Sequence, residues 1–226
     1  RQSMIKEMER ELSFHTDVEF IIKEANLNSE IQVQQIKELI NQDIDLLIVS
    51  PNEAAPITPV IESAYSKNIP VILVDRNTLS QKYAAFIGAS NYKVGLDAAT
   101  YANSLIKGKG NVLEIGGIDI GSSADLGRHN GFIDFIKEIP GIKYVGRLSE
   151  DWDESPAEAE RVLTNELIKN NDIQVIFAQN DRIGLGAYKV CKKLGLEEKI
   201  KIIGVDGLPG ENGGIDLVEK GYLKAT

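Results

Sequence analysis

From residue 18 onward, short runs of aliphatic and β-branched residues alternate with amphipathic stretches long enough to be helices. This rhythm constrains the fold more than any other feature, because parallel strands need a crossover of helical length between them. The strand-like runs are 18–22, 45–49, 70–74, 85–87, 112–115, 143–148, 174–178 and 201–205. Leu46-Leu47-Ile48-Val49 and Val71-Ile72-Leu73-Val74 are apolar without alternation, the pattern of strands covered by helices on both faces. A sandwich with one wet face would alternate. The expected class is therefore α/β, with parallel sheets flanked by helices. A β-α-β-α-β series up to Ile87 is followed, after a helical pattern over 94–106, by a second series ending at Val205. Two lobes explain the doubling, with residues 1–89 in the first, 90–226 in the second and the boundary near 89–91.

Helix signals fall where this reading needs them. Ser155-Pro156-Ala157-Glu158 combines an N-cap serine, proline at the first helical position and a glutamate three residues after the cap. Ser29 with Gln32 reads as a second capping box, Thr58-Pro59 as a third start, and Gly195 after Leu194 as a stop. Met4, Ile5, Met8 and Leu12 share one face of an opening helix. The chain starts on that helix, at Arg1, and stops at 222–226 as another strand begins. It reads as a segment of a longer protein, with a first lobe lacking its first strand and its C-terminal return.

The charge balance narrows the function. Lys and Arg number 25 against 34 Asp and Glu, a net charge of -9, which repels phosphate backbones and anionic lipid surfaces and excludes nucleic acid as a partner. No stretch approaches the ~20 apolar residues of a membrane span, and the first residues carry no signal-peptide pattern. Cys191 is the only cysteine, so the chain forms no internal disulfide; its place on an apolar helix face marks it as core. His15 and His129 lie in no metal-spaced cluster, and Gly-x-Ser-x-Gly and phosphate-loop motifs do not occur. Gly184-Leu185-Gly186 falls inside a helix pattern, and Gly116-Gly117 lacks a third glycine at the dinucleotide-binding offset. No metal or cofactor is implied.

In open parallel sheets ligands bind beyond the carboxyl ends of the strands, and here the strand exits are polar. They read Ser50-Pro51-Asn52, Asp75-Arg76-Asn77, Ser149-Glu150-Asp151-Trp152-Asp153, Gln179-Asn180-Asp181 and Asp206-Gly207. Each also has a plain structural use. Asp75 and Arg76 suit an exposed turn pair, Asp181 and Asp206 suit helix caps, and Trp152 suits the edge of a core. Taken together at corresponding strand ends, carboxylates, a guanidinium, amides and an indole suit an uncharged, hydroxyl-rich molecule. Such a ligand offers donors and acceptors, which charge-assisted bonds hold at roughly 1.5 to 3 kcal/mol each. Two further classes are compatible with the residues. One is an α/β transferase using Asp75 or Asp206 as base; the other is an oligomerisation module with no polar cleft.

Val74-Asp75-Arg76, Arg128-His129-Asn130-Gly131-Phe132, Asp151-Trp152-Asp153, Phe177-Ala178-Gln179-Asn180-Asp181 and Gly204-Val205-Asp206-Gly207 occur in an order and spacing that resemble the ribose-binding branch of type 1 periplasmic binding proteins. They also resemble the effector domains of lactose-repressor-type regulators. Within the family, the chain is most similar to periplasmic sugar sensors of hybrid two-component regulators in gut bacteria, of the fructose-responsive kind. The resemblance implies two Rossmann-like lobes closing on a monosaccharide, with no enzymatic activity in the domain itself. By motif, Asp75 and Arg76 face the sugar from the first lobe; Arg128, Asn180 and Asp206 hold its hydroxyls from the second; and Trp152 stacks on the ring. Arg1, at the end of the missing ligand segment, comes within reach. Val205 stands where the family often has phenylalanine, thinning one wall. On the same ground, fructose is the first expectation and ribose the second, and the setting is periplasmic, with any membrane attachment outside this chain. A homodimer suits a sensor. The alternatives are a transporter-associated binding protein and a repressor effector domain.

Overall fold

The computed structural model describes residues 2–117, 121–152 and 155–226; Arg1 lies outside them, as does Asp153. The chain forms two α/β lobes, each built on a parallel sheet. In the first sheet β1 (Leu47–Val49), β2 (Val71–Val74) and β3 (Ala85–Ile87) lie in the order β1-β2-β3, with Leu47 opposite Val71 and Ile72 opposite Ala85. In the second, β4 (Gly110–Gly116), β5 (Ile142–Ser149), β6 (Val175–Ala178) and β7 (Lys201–Ile203) lie in the order β5-β4-β6-β7. The helices are α1 (Gln2–Leu12), α2 (Ser29–Ile40), α3 (Ala54–Ser66), α4 (Asn91–Ile106), α5 (Ser123–Lys137), α6 (Pro156–Lys169), α7 (Asp181–Lys193) and α8 (Gly214–Glu219).

The second sheet is the middle of a three-layer lobe, and strand alternation shows why. Val112, Val175, Phe177 and Ile203 face α4 and α5, where Ala98, Ala99, Ala102, Phe132 and Ile136 are buried and Phe132 stacks on Phe177 with ring centroids 4.6 Å apart. Leu113, Ile115, Ile176 and Ile202 face the other way, toward Leu163 and Leu167 of α6, Ile183, Val190 and Cys191 of α7, and Leu217 of α8. Each such side chain contributes about 1.5 to 3 kcal/mol on burial. Helices α4 and α5 pack unusually close: a Cβ at Gly95 would collide with the Arg128 carbonyl, and one at Gly131 with the Tyr92 carbonyl. This contact sets the height of Arg128 above the sheet.

The first sheet departs from the expectation of two covered faces. Leu47, Val49, Val71 and Leu73 are buried against Ile36, Ile57, Val60 and Ile61 of α2 and α3, whereas Ile48 is exposed and Ile72 and Val74 are only partly covered. Burial thus alternates along strands whose sequence does not. The reason is that α1 stands away from the sheet: its Met4, Ile5 and Met8 line a cavity of about 440 Å³ together with Phe20 and Ile48. Residues 18–22, read from sequence as a strand, run along that cavity without a ladder; β-branched composition alone does not make a strand when no neighbouring edge is within reach.

Three helix starts also differ. Asn28, not Ser29, caps α2 through Oδ1, which accepts the Ile31 amide at 3.0 Å; Ser29 donates instead to Glu53 and Gln32 donates to the Ser50 carbonyl. At α6, Pro156 does hold the first position, but Ser155 makes no side-chain cap bond among the described residues, and Glu158 pairs with Arg161 rather than reaching back. Helix α3 begins at Ala54, placing Pro59 inside it, with the Thr58 hydroxyl donating to the Ala54 carbonyl at 2.7 Å. The α7 stop is as expected. Gly195 has φ +67°, and the Leu196 amide returns to the Cys191 carbonyl at 2.8 Å.

Candidate functional site

The exit of β2 and the start of α3 meet the second lobe beside the start of α5. After β2 the chain turns sharply: Asp75 has φ +67° and donates its amide to Ile87 at 2.9 Å, while the Arg76 amide bonds the Val74 carbonyl at 2.7 Å. That turn leaves the Asp75 carboxylate exposed. It also sends the Arg76 guanidinium back to the Asn52 carbonyl at 2.7 Å, at the exit of β1. Asn52 is itself held by Gln32, Ser29 and the Leu27 carbonyl.

Two backbone amides of the first lobe then bond to the start of α5 in the second. The Asn77 amide donates to the Ser123 hydroxyl at 2.6 Å, and the Ala54 amide to the Gly121 carbonyl at 3.2 Å. The second bond has a local cause. Helix α3 starts after Glu53, which makes no side-chain cap bond among the described residues, so an otherwise orphaned amide is satisfied by the opposite lobe.

In the second lobe, Arg128 on α5 is held on two sides. Its Nε donates to Asn91 Oδ1 at 3.0 Å and its Nη1 to the Gln179 carbonyl at 2.5 Å. Its Nη2 faces Asp206 at 3.7 Å, across the exit of β7. The Asp206 carboxyl is pushed up to about 6 by burial. The Arg128 charge opposes that shift, while the neighbouring carboxylates Asp181 and Asp75 add to it. Arg128 and Asp206 line a cavity of about 600 Å³ with Asn91, Tyr101, Val205 and Thr226.

Beneath Arg128 lies a buried polar layer. Glu114, fully buried on β4, accepts from the Gln179 amide at 2.7 Å and the Tyr144 hydroxyl at 2.9 Å, and pairs with His129 at 2.8 Å. Arg147 lies 3.8 Å from the Glu114 oxygen that accepts from Gln179, and pairs with Asp125. Burial and the Glu114 charge raise the Tyr144 hydroxyl well above its usual range. Glu114 anchors the Gln179 side chain, and the Gln179 carbonyl fixes Arg128. The sequence held one signal of this layer: a lone glutamate inside the otherwise apolar Val112-Leu113-Glu114-Ile115 run. Nothing there marked Asn91 or Ser123.

The remaining expected site residues are placed as follows. Asn180 caps α7, its Oδ1 accepting the Ile183 amide at 2.8 Å, so that oxygen is committed to the helix. Trp152 rests against Gly186 of α7 and packs with the α6–α7 side of the second core, and its Nε1 is buried without a partner among the described residues. Arg128 faces Asp206, whose carboxyl the Asp75 and Asp181 charges push up; Arg76 is turned to the Asn52 carbonyl at the exit of β1; Arg1 is outside the described residues. Among the described residues no group of three or more His, Cys, Asp or Glu side chains could hold a metal ion, and no helix is long and apolar enough to cross a membrane.

Comparison with known proteins identifies the family and the fold. The family model for the periplasmic binding protein domain matches residues 1–226. The ribose import binding protein RbsB of Bacillus subtilis (strain 168) is 32% identical over 188 residues, 83% of this chain and 59% of that protein; the chain thus spans about three fifths of the length of this curated relative. Among solved structures, the fructose binding periplasmic domain of a hybrid two component system superposes with a TM-score of 0.87 at 40% identity, covering 99% of this chain and 73% of that one. A Caulobacter myo-inositol binding protein bound to myo-inositol superposes with a TM-score of 0.84 at 25% identity, covering 98% and 74%.

Proposed function

The chain belongs to the periplasmic binding protein domain family, and from that premise we propose that it is a non-enzymatic monosaccharide receptor. Its lobes, residues 1–89 and 90–226, close on fructose in the first place and ribose in the second, as the periplasmic sensor domain of a signalling protein. One observation carries the reading. The loop that follows Asp75 bonds through the Asn77 amide to Ser123 at the start of α5, the helix whose Arg128 faces Asp206 at 3.7 Å. Carboxylates leaving both sheets and a guanidinium beside one of them suit the vicinal hydroxyls of a sugar, and a ligand that touches both walls stabilises the closed arrangement over an open one. Fructose comes first because the matching sensor domain is a fructose binder at 40% identity, and ribose second because of the ribose import relative. That relative equally supports a transport component. In either setting the site residues are Asp75, Arg76, Arg128, Trp152, Asn180 and Asp206; Arg1 lies outside the described residues.

Isothermal titration calorimetry of the chain with fructose, ribose and myo-inositol tests the reading. The expected result is saturable binding of fructose, weakened by about 2 to 4 kcal/mol in Arg128→Ala, because Asp206 loses its facing cation and the Gln179 carbonyl and Asn91 lose their donor. Absence of binding to all three sugars, or wild-type affinity in Arg128→Ala, overturns it. Turnover of the bound sugar, followed by NMR over hours, would favour a transferase instead.

A further inference from the structure

We propose that Asp181 is a positioning residue for sugar capture: its carboxylate holds the turn that presents Asp206 to the cavity. The proposal rests on the receptor reading above and adds to it a residue that the site description leaves among the helix starts.

Asp206 is a non-glycine residue at φ +120°, a region L-residues rarely adopt, and it is followed by Gly207 at φ +62°. Such a backbone persists only where neighbouring structure enforces it. The enforcing contact comes from Asp181, whose Oδ2 accepts the Gly207 amide at 2.9 Å across 26 residues of sequence. The same amide also lies 2.9 Å from the Thr226 hydroxyl. Two further backbone segments close around the carboxylate: a Cβ at Gly204 or at Gly214 would overlap its oxygens. The end of β7, the turn, the start of α8 and Thr226 are therefore all built around one buried side chain, 5% exposed.

An acidic residue in the first turn of a helix commonly just answers the helix dipole from the surface. Asp181 does not fit that pattern, being buried and bonded to the Asp206 turn. Burial raises its pKa, while Thr226, the turn amides and Arg128 pull it down. Its charge in turn acts on Asp206. The charged groups facing Asp206 are Arg128 from α5, Asp75 from the loop after β2, and Asp181 from α7. A second consequence follows: Asp181 sets the proton affinity of Asp206 as well as its direction.

The test uses Asp181→Asn, which keeps an acceptor for the Gly207 amide and removes the charge, beside Asp181→Ala, which removes both. The carboxyl 13C signal of Asp206 and the Gly207 amide signal are followed against pH in the sugar-free protein, and fructose affinity is measured by calorimetry at pH 7.5. The expected results are an Asp206 midpoint near 6 in the wild type and a lower one in Asp181→Asn. The Gly207 amide shift should be displaced in Asp181→Ala, with a roughly 10- to 100-fold loss of fructose affinity that Asp181→Asn largely restores. An unchanged Asp206 midpoint in Asp181→Asn, or fructose affinity in Asp181→Ala equal to wild type, overturns the proposal. If Asp181→Ala does not fold, the Asp181→Asn titration decides alone. Because the titration needs no sugar, failure of the wild type to bind any sugar removes the receptor reading without being mistaken for failure of the Asp181–Asp206 coupling.

Discussion

Replacing Ser123 with alanine isolates the contact between lobes from contact with the sugar. Ser123 is the first residue of α5, and Ser122 caps that helix by accepting the Asp125 amide at 3.1 Å, so alanine at 123 leaves the helix start intact. What it removes is the acceptor for the Asn77 amide, a half-buried bond of 2.6 Å from the opposite lobe. A neutral bond of this kind contributes about 0.5 to 1.5 kcal/mol net, and in an open arrangement the Asn77 amide is free to bond water. The substitution therefore destabilises closure by that amount and lowers the closed fraction about 2- to 10-fold. Where closure is a minor state of the sugar-free protein, the apparent dissociation constant rises by the same factor. Calorimetry with fructose, ribose and myo-inositol reads this directly, and the factor should be the same for every sugar that binds. A loss confined to one sugar would show that Ser123 contacts ligand, and an unchanged affinity would show that the contact does not govern closure. Either result refutes the reasoning.

Other perturbations read other parts of the molecule. The Asp206 carboxyl is raised to about 6, so between the ordinary carboxylate range and pH 6 the folded state binds more protons than the unfolded one. Stability from this group is then complete below about pH 4 and is lost as pH rises through 6. Urea denaturation should find Asp206→Asn no different from wild type at pH 4 and more stable at pH 7.5. Glu114→Leu deprives His129, Tyr144 and Gln179 of their common buried acceptor and should cost about 3 to 5 kcal/mol in the same assay, with fructose binding lost as Gln179 ceases to anchor Arg128. Gly131→Val pushes a side chain into the Tyr92 carbonyl; the α4–α5 contact must open, and a thermal melt by circular dichroism should show a lower midpoint than for a change at the exposed Gly210 turn. Phe177→Ala empties a fully buried site stacked on Phe132 and should cost about 3 to 5 kcal/mol in chemical denaturation.

The sequence conveyed the architecture through periodicity. Seven of the eight strand-like runs contain a strand, because a run such as 174–178, apolar on both faces, has few alternatives once flanked by helices. The run 18–22 failed for a reason no local pattern carries: a strand is defined by its neighbour, and here a cavity stands in that place. Helix starts differ where a capping side chain is claimed by another partner, as when distant Glu53 takes the Ser29 hydroxyl and Arg161, one turn along the same helix, takes Glu158. Polar strand exits pointed to Asp75 and Asp206, and the family resemblance to Arg128. The residues that fix them were less visible. Gln179 and Asp181 lie inside a motif whose local pattern does not distinguish a supporting role from a cap, and Asn91 and Ser123 act only through contacts between elements far apart in the chain.

Trp152 is the only tryptophan in the chain, and its ring lies on Gly186 at the α6–α7 side of the second-lobe core. Ultraviolet emission excited at the red edge therefore comes from one lobe alone. Loss of the first lobe's structure would leave that emission in place, whereas separation of α6 from α7 would shift it to longer wavelength. A single native fluorophore thus distinguishes which half of the molecule yields first, without a label.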